Sequence, residues 1–392
     1  MDKQIILPIG PQHPLLKEPV HFRFSIEGEK IVEADIRLGY NHRGIEKAAE
    51  SETYIQDLYM IERICGICSM THATNFAHAV EEIAKVEVPP RARYIRVIVA
   101  ELERLHSHLL WLGVAGHEIG FDTFFMVAWR DREVVMDLLE GITGNRVNYG
   151  INKPGGVRKD ISDAQRKELQ KGMDILEERI RYYQKVALEE PTFIARVAGI
   201  GKLDKEIAIS HGAVGPTARG SGITYDVRRD LPYSAYGEIP FNVITSDRGD
   251  VLGRTIVRIG EMLESINIIR YAVEHLPEGP LAARIPRRIP AGEATTRYEA
   301  PRGECIHYVR ANGTEVPDRV KVRAPTMANL VSIRSTLLNQ EVADIPIIVA
   351  AIDPCLSCTD RTLVLLSNKQ SSEITTWAEL RKKSLAKTKR LL

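Results

Sequence analysis

Four of the chain's five cysteines fall into two Cys-x-x-Cys pairs, Cys65–Cys68 and Cys355–Cys358, whose inner members stand 287 residues apart. A turn of this kind sets two thiolates on one side of a short loop, so two turns brought together offer four soft sulfur ligands. Any fold that uses them must close nearly the whole chain on itself. Spacing alone admits structural zinc, an iron–sulfur cluster or another redox metal. Zinc sites of this type usually sit in small modules with a short spacer, not at opposite ends of a large domain. The fifth cysteine, Cys305, reads as a small buried apolar residue. An odd number of cysteines in a long chain argues against a disulfide framework.

Composition is ordinary for a globular protein: 44% hydrophobic and 27% charged over 392 residues. That excludes a disordered or fibrous chain. A net charge of +1 gives no reason to expect nucleic acid as a partner. No apolar run reaches the roughly 18–20 residues a bilayer span needs, and Met1 to Pro8 shows no signal peptide, so a soluble cytosolic chain is expected.

Residues 20–26 and 31–36 alternate around Glu27-Gly28-Glu29-Lys30, a hairpin pattern. Pro89 and Pro90 suit a helix start, and helical periodicity covers 91–113, 123–139, 160–189 and 249–276. Strands are expected over 304–309 and 319–322, with Asn312-Gly313 between them. The apolar run 343–352 reads as a buried strand or short apolar segment leading to Asp353. The expectation is one α+β, predominantly α-helical domain over 1–361. It has a β-rich start (about 1–40), a helical core (about 43–276) and a β-containing part (about 297–361). Residues 362–392 form a basic extension of net charge +5.

The residues around the cysteines carry a family signature. Glu62-Arg63-Ile64-Cys65-Gly66-Ile67-Cys68 with His72, and Asp353-Pro354-Cys355-Leu356-Ser357-Cys358-Thr359-Asp360-Arg361, resemble the two signatures of nickel–iron hydrogenase large subunits. The closing Arg361 is similar to the membrane-linked, energy-converting group. Further blocks resemble the quinone-site large subunit of respiratory complex I, a relative that has lost the metal-binding thiols: Gly10-Pro11-Gln12-His13-Pro14, His42-Arg43-Gly44-Ile45-Glu46-Lys47, Gly215 to Gly222, and Glu299-Ala300-Pro301-Arg302-Gly303-Glu304. The resemblance runs from residue 7 to residue 361, and it implies the large-subunit fold of that family.

It also implies roles. Cys65 and Cys355 would be terminal nickel ligands, while Cys68 and Cys358 would bridge to an iron carrying cyanide and carbon monoxide. Cys355 would take the proton when hydrogen is split, and Glu46 matches a glutamate that gates the proton's exit. His72 matches a histidine bonded to the Cys68 sulfur. Arg302, beside Pro301, matches a guanidinium over the open metal position; Asp353 pairs with it, and Thr326 aligns with a residue that bonds a cyanide. Without the resemblance, Glu46 reads as a surface residue beside Lys47, His72 as structural and Arg302 as a salt-bridge member. Trp111 and Trp129 read as core. His13 sits where complex I relatives place a quinone-contacting histidine.

Once the four thiols are assigned, no iron–sulfur ligand set remains on this chain. Electrons are therefore expected to pass through a partner; the resemblance implies a low-potential donor such as ferredoxin, a ferredoxin-like iron–sulfur subunit and a small subunit with a 4Fe–4S cluster. Integral membrane ion-translocating subunits would anchor the chain on the cytoplasmic side of the cell membrane. Nickel chaperones and a maturation endopeptidase, cutting between Arg361 and Thr362, complete the implied partners. The alternatives are a related oxidoreductase reducing a quinone or sulfur compound, and a scaffold holding structural zinc.

Overall fold

A computed structural model describes residues 4–360, 363–367, 371–375 and 377–389. Strands β1 (Ile5–Ile9), β2 (His21–Glu27) and β3 (Lys30–Arg37) form an antiparallel sheet in that order. The β2–β3 hairpin is where the alternation put it: Phe22, Phe24 and Ala34 are buried while Arg23 and Asp35 face out. Its turn holds Gly28 at φ 61, a left-handed conformation that a side chain would strain.

Six helices then build the body: α1 (Tyr54–Glu62), α2 (Ser69–Ala84), α3 (Pro90–Glu118), α4 (Asp122–Thr143), α5 (Asp163–Glu189) and α6 (Val251–Glu274). Thr53 with Gln56, and Ser162 with Gln165, form reciprocal capping boxes that start α1 and α5. Helix α5 keeps its charge outside and buries Leu169, Met173, Leu176 and Ile180. Helix α3 lies at the centre, packed by α4 and α6. It is buried almost all round, so even its charged residues are inside and paired: Arg96 with Glu81, Arg104 with Glu101. Burial of each of Ile98, Leu102, Leu105 and Leu109 contributes about 1.5–3 kcal/mol.

A second antiparallel sheet, β4 (Gly292–Ala300), β5 (Gly303–Ala311) and β6 (Pro317–Arg323), follows. Strands β5 and β6 match the sequence pattern. Strand β4 was hidden because its inward residues, Ala294, Thr296 and Tyr298, make a weak apolar alternation. Helices α7 (Pro325–Leu337), α8 (Ile345–Ala351) and α9 (Leu356–Thr359) complete the body. Of the two readings of 343–352, a buried strand or a short apolar run, the strand is corrected: the segment carries helix α8, with Pro346 in its first turn. A short, wholly apolar run has no periodicity with which to separate the two.

Buried ion pairs tie the layers together. Arg219 bonds Glu261 on α6 and Glu299 on β4, while Arg228 bonds Asp226 and Glu101 on α3. Burial would raise the Asp226 carboxyl, but Arg228 and Arg219 outweigh it and hold it down at about 2. The basic extension, expected as a tail, forms an antiparallel pair, β7 (Leu363–Ser367) with β8 (Ser371–Thr375), and helix α10 (Trp377–Thr388). Arg361 and the expected cut after it lie outside the described residues.

Candidate metal centre

Each cysteine turn sits where one helix ends and the next begins, with Cys68 and Cys355 as the residues that cap α2 and α9 and Cys358 within α9. Cys65 and Cys68 lie in the loop from α1 to α2, with Cys68 as the residue before α2. Cys355 and Cys358 lie where α8 gives way to α9. All four thiols are buried, and their sulfurs converge: Cys65 to Cys355 at 3.4 Å, Cys68 to Cys358 at 3.7 Å and Cys355 to Cys358 at 3.1 Å. Thiolates set tetrahedrally at about 2.3 Å from a metal stand about 3.8 Å apart. The donor set is soft, buried and four-membered, so these residues fit a thiolate-held metal.

The site has two unlike sides. Cys65 and Cys355 line a cavity of about 460 Å³ together with Arg302, Asp353, Trp111 and Glu18. Cys68 and Cys358 group instead with a ring nitrogen of His72, all three ligand atoms lying within 4.8 Å of one another. An open face is a property of reactive metal sites; structural zinc sites are closed.

Arg302 reaches the cluster from the tip of the β4–β5 hairpin, where Ala300 pairs Gly303 across a two-residue turn of Pro301 and Arg302. The turn can sit so deep because Gly303, at φ 124, abuts Gly215, at φ 65; a Cβ on Gly215 would fall 2.4 Å from the Arg302 carbonyl. The guanidinium donates from Nε to the Asp353 carbonyl at 2.9 Å and from Nη2 to Asp353 Oδ1 at 2.8 Å. Burial works against its charge, but the Asp353 carboxylate and then Cys355, Cys65 and Cys68 hold it well above the usual arginine range. Hydrogen bonds from Cys355, then Cys358 and Cys68, hold the Cys65 thiol well below its ordinary range, while burial pushes Cys358 up. Thr326 Oγ1 accepts the Cys355 N–H at 3.1 Å, so this residue anchors the ligand turn itself.

Glu46, expected beside the proton exit, lies at the start of the short helix Ile45–Ala48, where its carboxylate accepts the Val322 N–H at 2.9 Å. The described cavity wall carries three carboxylates, Asp353, Glu118 and Glu18; Asp353 is bonded to Arg302 and Glu118 pairs with Lys17, while Glu18 is bonded to the ligand turn. Glu18 accepts from the Leu356 N–H, from the Ser357 N–H at 3.2 Å and from the Ser357 hydroxyl, directly after Cys355. Arg43 donates to the carbonyls of Arg63 (2.9 Å), Ile64 (2.6 Å) and Ser357 (3.1 Å), stapling one cysteine loop to the other. Glu103 accepts from the Met70 and Thr71 N–H groups at 2.6 and 3.0 Å, capping helix α2 directly after Cys68. Burial pushes that carboxyl up to about 8.

Glu18 and Glu103 gave no sequence signal, because each acts on backbone groups that only the fold brings near. Arg43 lay inside a block that drew attention to Glu46. Trp111, read as core, is in the core at 2% exposure and also borders the cavity, whereas Trp129, read as core, lines the cavity and is 38% exposed. His13 is exposed, its Nδ1 accepting the Leu15 N–H.

Residues 118–289 and 286–361 match the family described as respiratory-chain NADH dehydrogenase, 49 Kd subunit; residues 43–113 match nickel-dependent hydrogenase. The membrane-bound hydrogenase subunit alpha of Pyrococcus furiosus is 44% identical over 98% of this chain and 93% of its own. The carbon monoxide-induced hydrogenase of Rhodospirillum rubrum is 40% identical, over 91% of this chain and 99% of its own. A chain in the solved structure of the membrane-bound sulfane sulfur reductase, an archaeal respiratory membrane complex, has a TM-score of 0.86 and 31% identity, covering 92% of this chain and 98% of that one.

Proposed function

Since the chain belongs to the family that joins membrane-bound nickel–iron hydrogenase large subunits to the 49 kDa subunit of respiratory NADH dehydrogenase, we propose that it is the catalytic large subunit of an energy-converting hydrogenase. It interconverts protons and dihydrogen as a peripheral part of a membrane complex. Among the described residues no helix is long and apolar enough to cross a membrane, which fits a subunit docked on membrane partners at the cytoplasmic face. The observation that carries the reading is the convergence of four buried sulfurs with an open side under Arg302.

Cys65 and Cys355 would hold nickel terminally, and Cys68 and Cys358 would bridge it to an iron bearing cyanide and carbon monoxide. Such a centre supplies heterolytic cleavage and formation of dihydrogen. The chain's residues supply the rest. Arg302, fixed by two bonds to Asp353, places a permanent cation over the open side. Cys355 Sγ takes the proton, and Glu18 on the adjoining turn receives it. Glu46, at the start of the helix Ile45–Ala48, serves the proton's exit as a second carboxylate. Pro301 and Thr326 would shape the pocket for the diatomic ligands, and His72, with a ring nitrogen within 4.8 Å of the Cys68 sulfur, would bond it. Electrons enter through a small subunit with a 4Fe–4S cluster, from a ferredoxin-like iron–sulfur subunit and a low-potential donor, and membrane subunits move ions. Nickel chaperones load the site, and an endopeptidase cuts after Arg361.

Metal analysis of the complex purified anaerobically from its own cells, with an intact mass on the same sample, tests this. About one nickel per chain is expected; stoichiometric zinc without nickel in the assembled complex would overturn it.

The cavity favours a second reading. Its volume of about 460 Å³, walled by Leu110, Val114, Leu330 and Val349, exceeds anything dihydrogen requires. A sulfur compound or a quinone would fit it, with the same cluster reducing that substrate instead.

A further inference from the structure

Behind the Cys68–Cys358 side lies a second group of buried donors. His72 Nδ1 stands 3.1 Å from His307 Nε2, and Cys305 Sγ stands 3.9 Å from the same His72 nitrogen. All three residues have 0% exposure. The spacing is set by backbone: Asn75 Nδ2 donates to the Cys305 carbonyl at 3.0 Å, and Thr296 Oγ1 donates to the Asn75 carbonyl at 3.0 Å. Helix α2 is thereby tied to β4 and β5, and the two imidazoles are held with one nitrogen of each facing the other.

We propose that His307 is a positioning residue that fixes the tautomer of His72, so that His72 presents an N–H, and not a lone pair, to the sulfurs of Cys68 and Cys358. The inference rests on the nickel–iron reading above. Two facing ring nitrogens at 3.1 Å share one proton. If that proton sits on His72 Nδ1, the other nitrogen of His72 carries a lone pair, which repels a thiolate. If it sits on His307 Nε2, His72 is protonated at Nε2 and donates to sulfur. Both rings are neutral in either arrangement, so only the direction of the bond differs. Thiolates on one side of His72 select the second arrangement, and His307 is placed to supply it. A hydrogen bond to a bridging sulfur withdraws charge from it, and that change is read at a metal's carbon monoxide and cyanide ligands.

The test uses the assembled complex with His307→Phe and His307→Gln. Glutamine can place an amide N–H near the position of Nε2; phenylalanine cannot. With nickel and iron content equal to the parent, His307→Phe should shift the infrared stretching bands of the diatomic ligands, and His307→Gln should restore them. Parent bands in His307→Phe would overturn the proposal. If His307→Phe fails to load metal, loading and parent bands in His307→Gln still support it. Glutamine behaving like phenylalanine, whether unloaded or shifted, would mean that His307 acts through packing, and the proposal falls. A parent complex without nickel or such bands would instead refute the hydrogenase reading itself, before any variant is compared.

Discussion

The Arg302 guanidinium makes two bonds to one residue, meeting both the backbone carbonyl and the side chain of Asp353. Asp353 holds this position at φ 55, unusual for a residue with a side chain. The pair therefore couples the β4–β5 hairpin to the turn that delivers Cys355. Lysine keeps the charge but lacks the planar fork whose separate nitrogens fix the two bonds. Arg302→Lys should lower hydrogen turnover by about 10²–10³-fold, the usual loss when a fixed cationic donor is removed, with nickel content unchanged. Equal loss of nickel and activity would show a structural role alone.

Glu18 and Glu46 make a second contrast. The amide oxygen introduced by Glu18→Gln would still accept the N–H groups of Leu356 and Ser357, but the side chain could no longer carry a proton. Glu18→Gln should therefore reduce turnover by about 10²–10⁴-fold while leaving the metal centre loaded and its spectrum intact. Glu46→Gln, made alongside, should cost less. A larger loss at Glu46 would return the first proton step to the residue that the sequence suggested.

How these residues became visible explains what a sequence discloses. Cys65, Cys68, Cys355 and Cys358 were legible because metal chemistry demands a residue type at fixed local spacing. The long helices were legible because burying one face imposes a period, as at Leu169, Met173, Leu176 and Ile180. Glu18, Glu103 and His307 were not, since each meets its partner across the fold, 338, 33 and 235 residues away. Helix α8 could not be told from a strand because Ile347, Ile348 and Val349 are all buried and leave no pattern.

The buried ion pairs predict acid sensitivity. Asp226 is held at about 2, below its ordinary 3.8. A depressed carboxyl stabilises the fold above the ordinary value, and that contribution is lost as pH falls towards 2. Asp226→Asn should flatten this acid limb in thermal unfolding followed against pH. Arg219→Met, which leaves Glu261 and Glu299 without their shared cation, should cost about 3–5 kcal/mol.

Asp57 predicts the opposite slope. It is fully buried on α1, neither carboxylate oxygen has a hydrogen-bond partner among the described residues, and burial, with the Glu52 charge adding, pushes it up to about 8. A carboxyl raised in the folded state favours folding below its ordinary 3.8 and loses that advantage as pH rises towards 8. Asp57→Asn cannot ionise, so its melting temperature should overtake the parent's as the pH is raised through that window. Parallel curves for the two proteins would refute this.

The cavity lets the two readings of the site be separated within one protein. Protons and dihydrogen need only a narrow route to Cys65 and Cys355, whereas a quinone or a chain of sulfur atoms must occupy the apolar space beside Val114 and Leu110. Val114→Phe fills part of that space and leaves every cysteine and Arg302 unchanged in the sequence. For a hydrogenase, turnover should stay within about threefold of the parent, since no group that contacts the reacting atoms has changed. For a sulfur or quinone reductase, the added ring competes with the substrate and should raise KM at least about tenfold. Assaying hydrogen evolution and the reduction of polysulfide and of a soluble quinone on the same preparation decides between them, because the substitution penalises only the substrate that needs the volume.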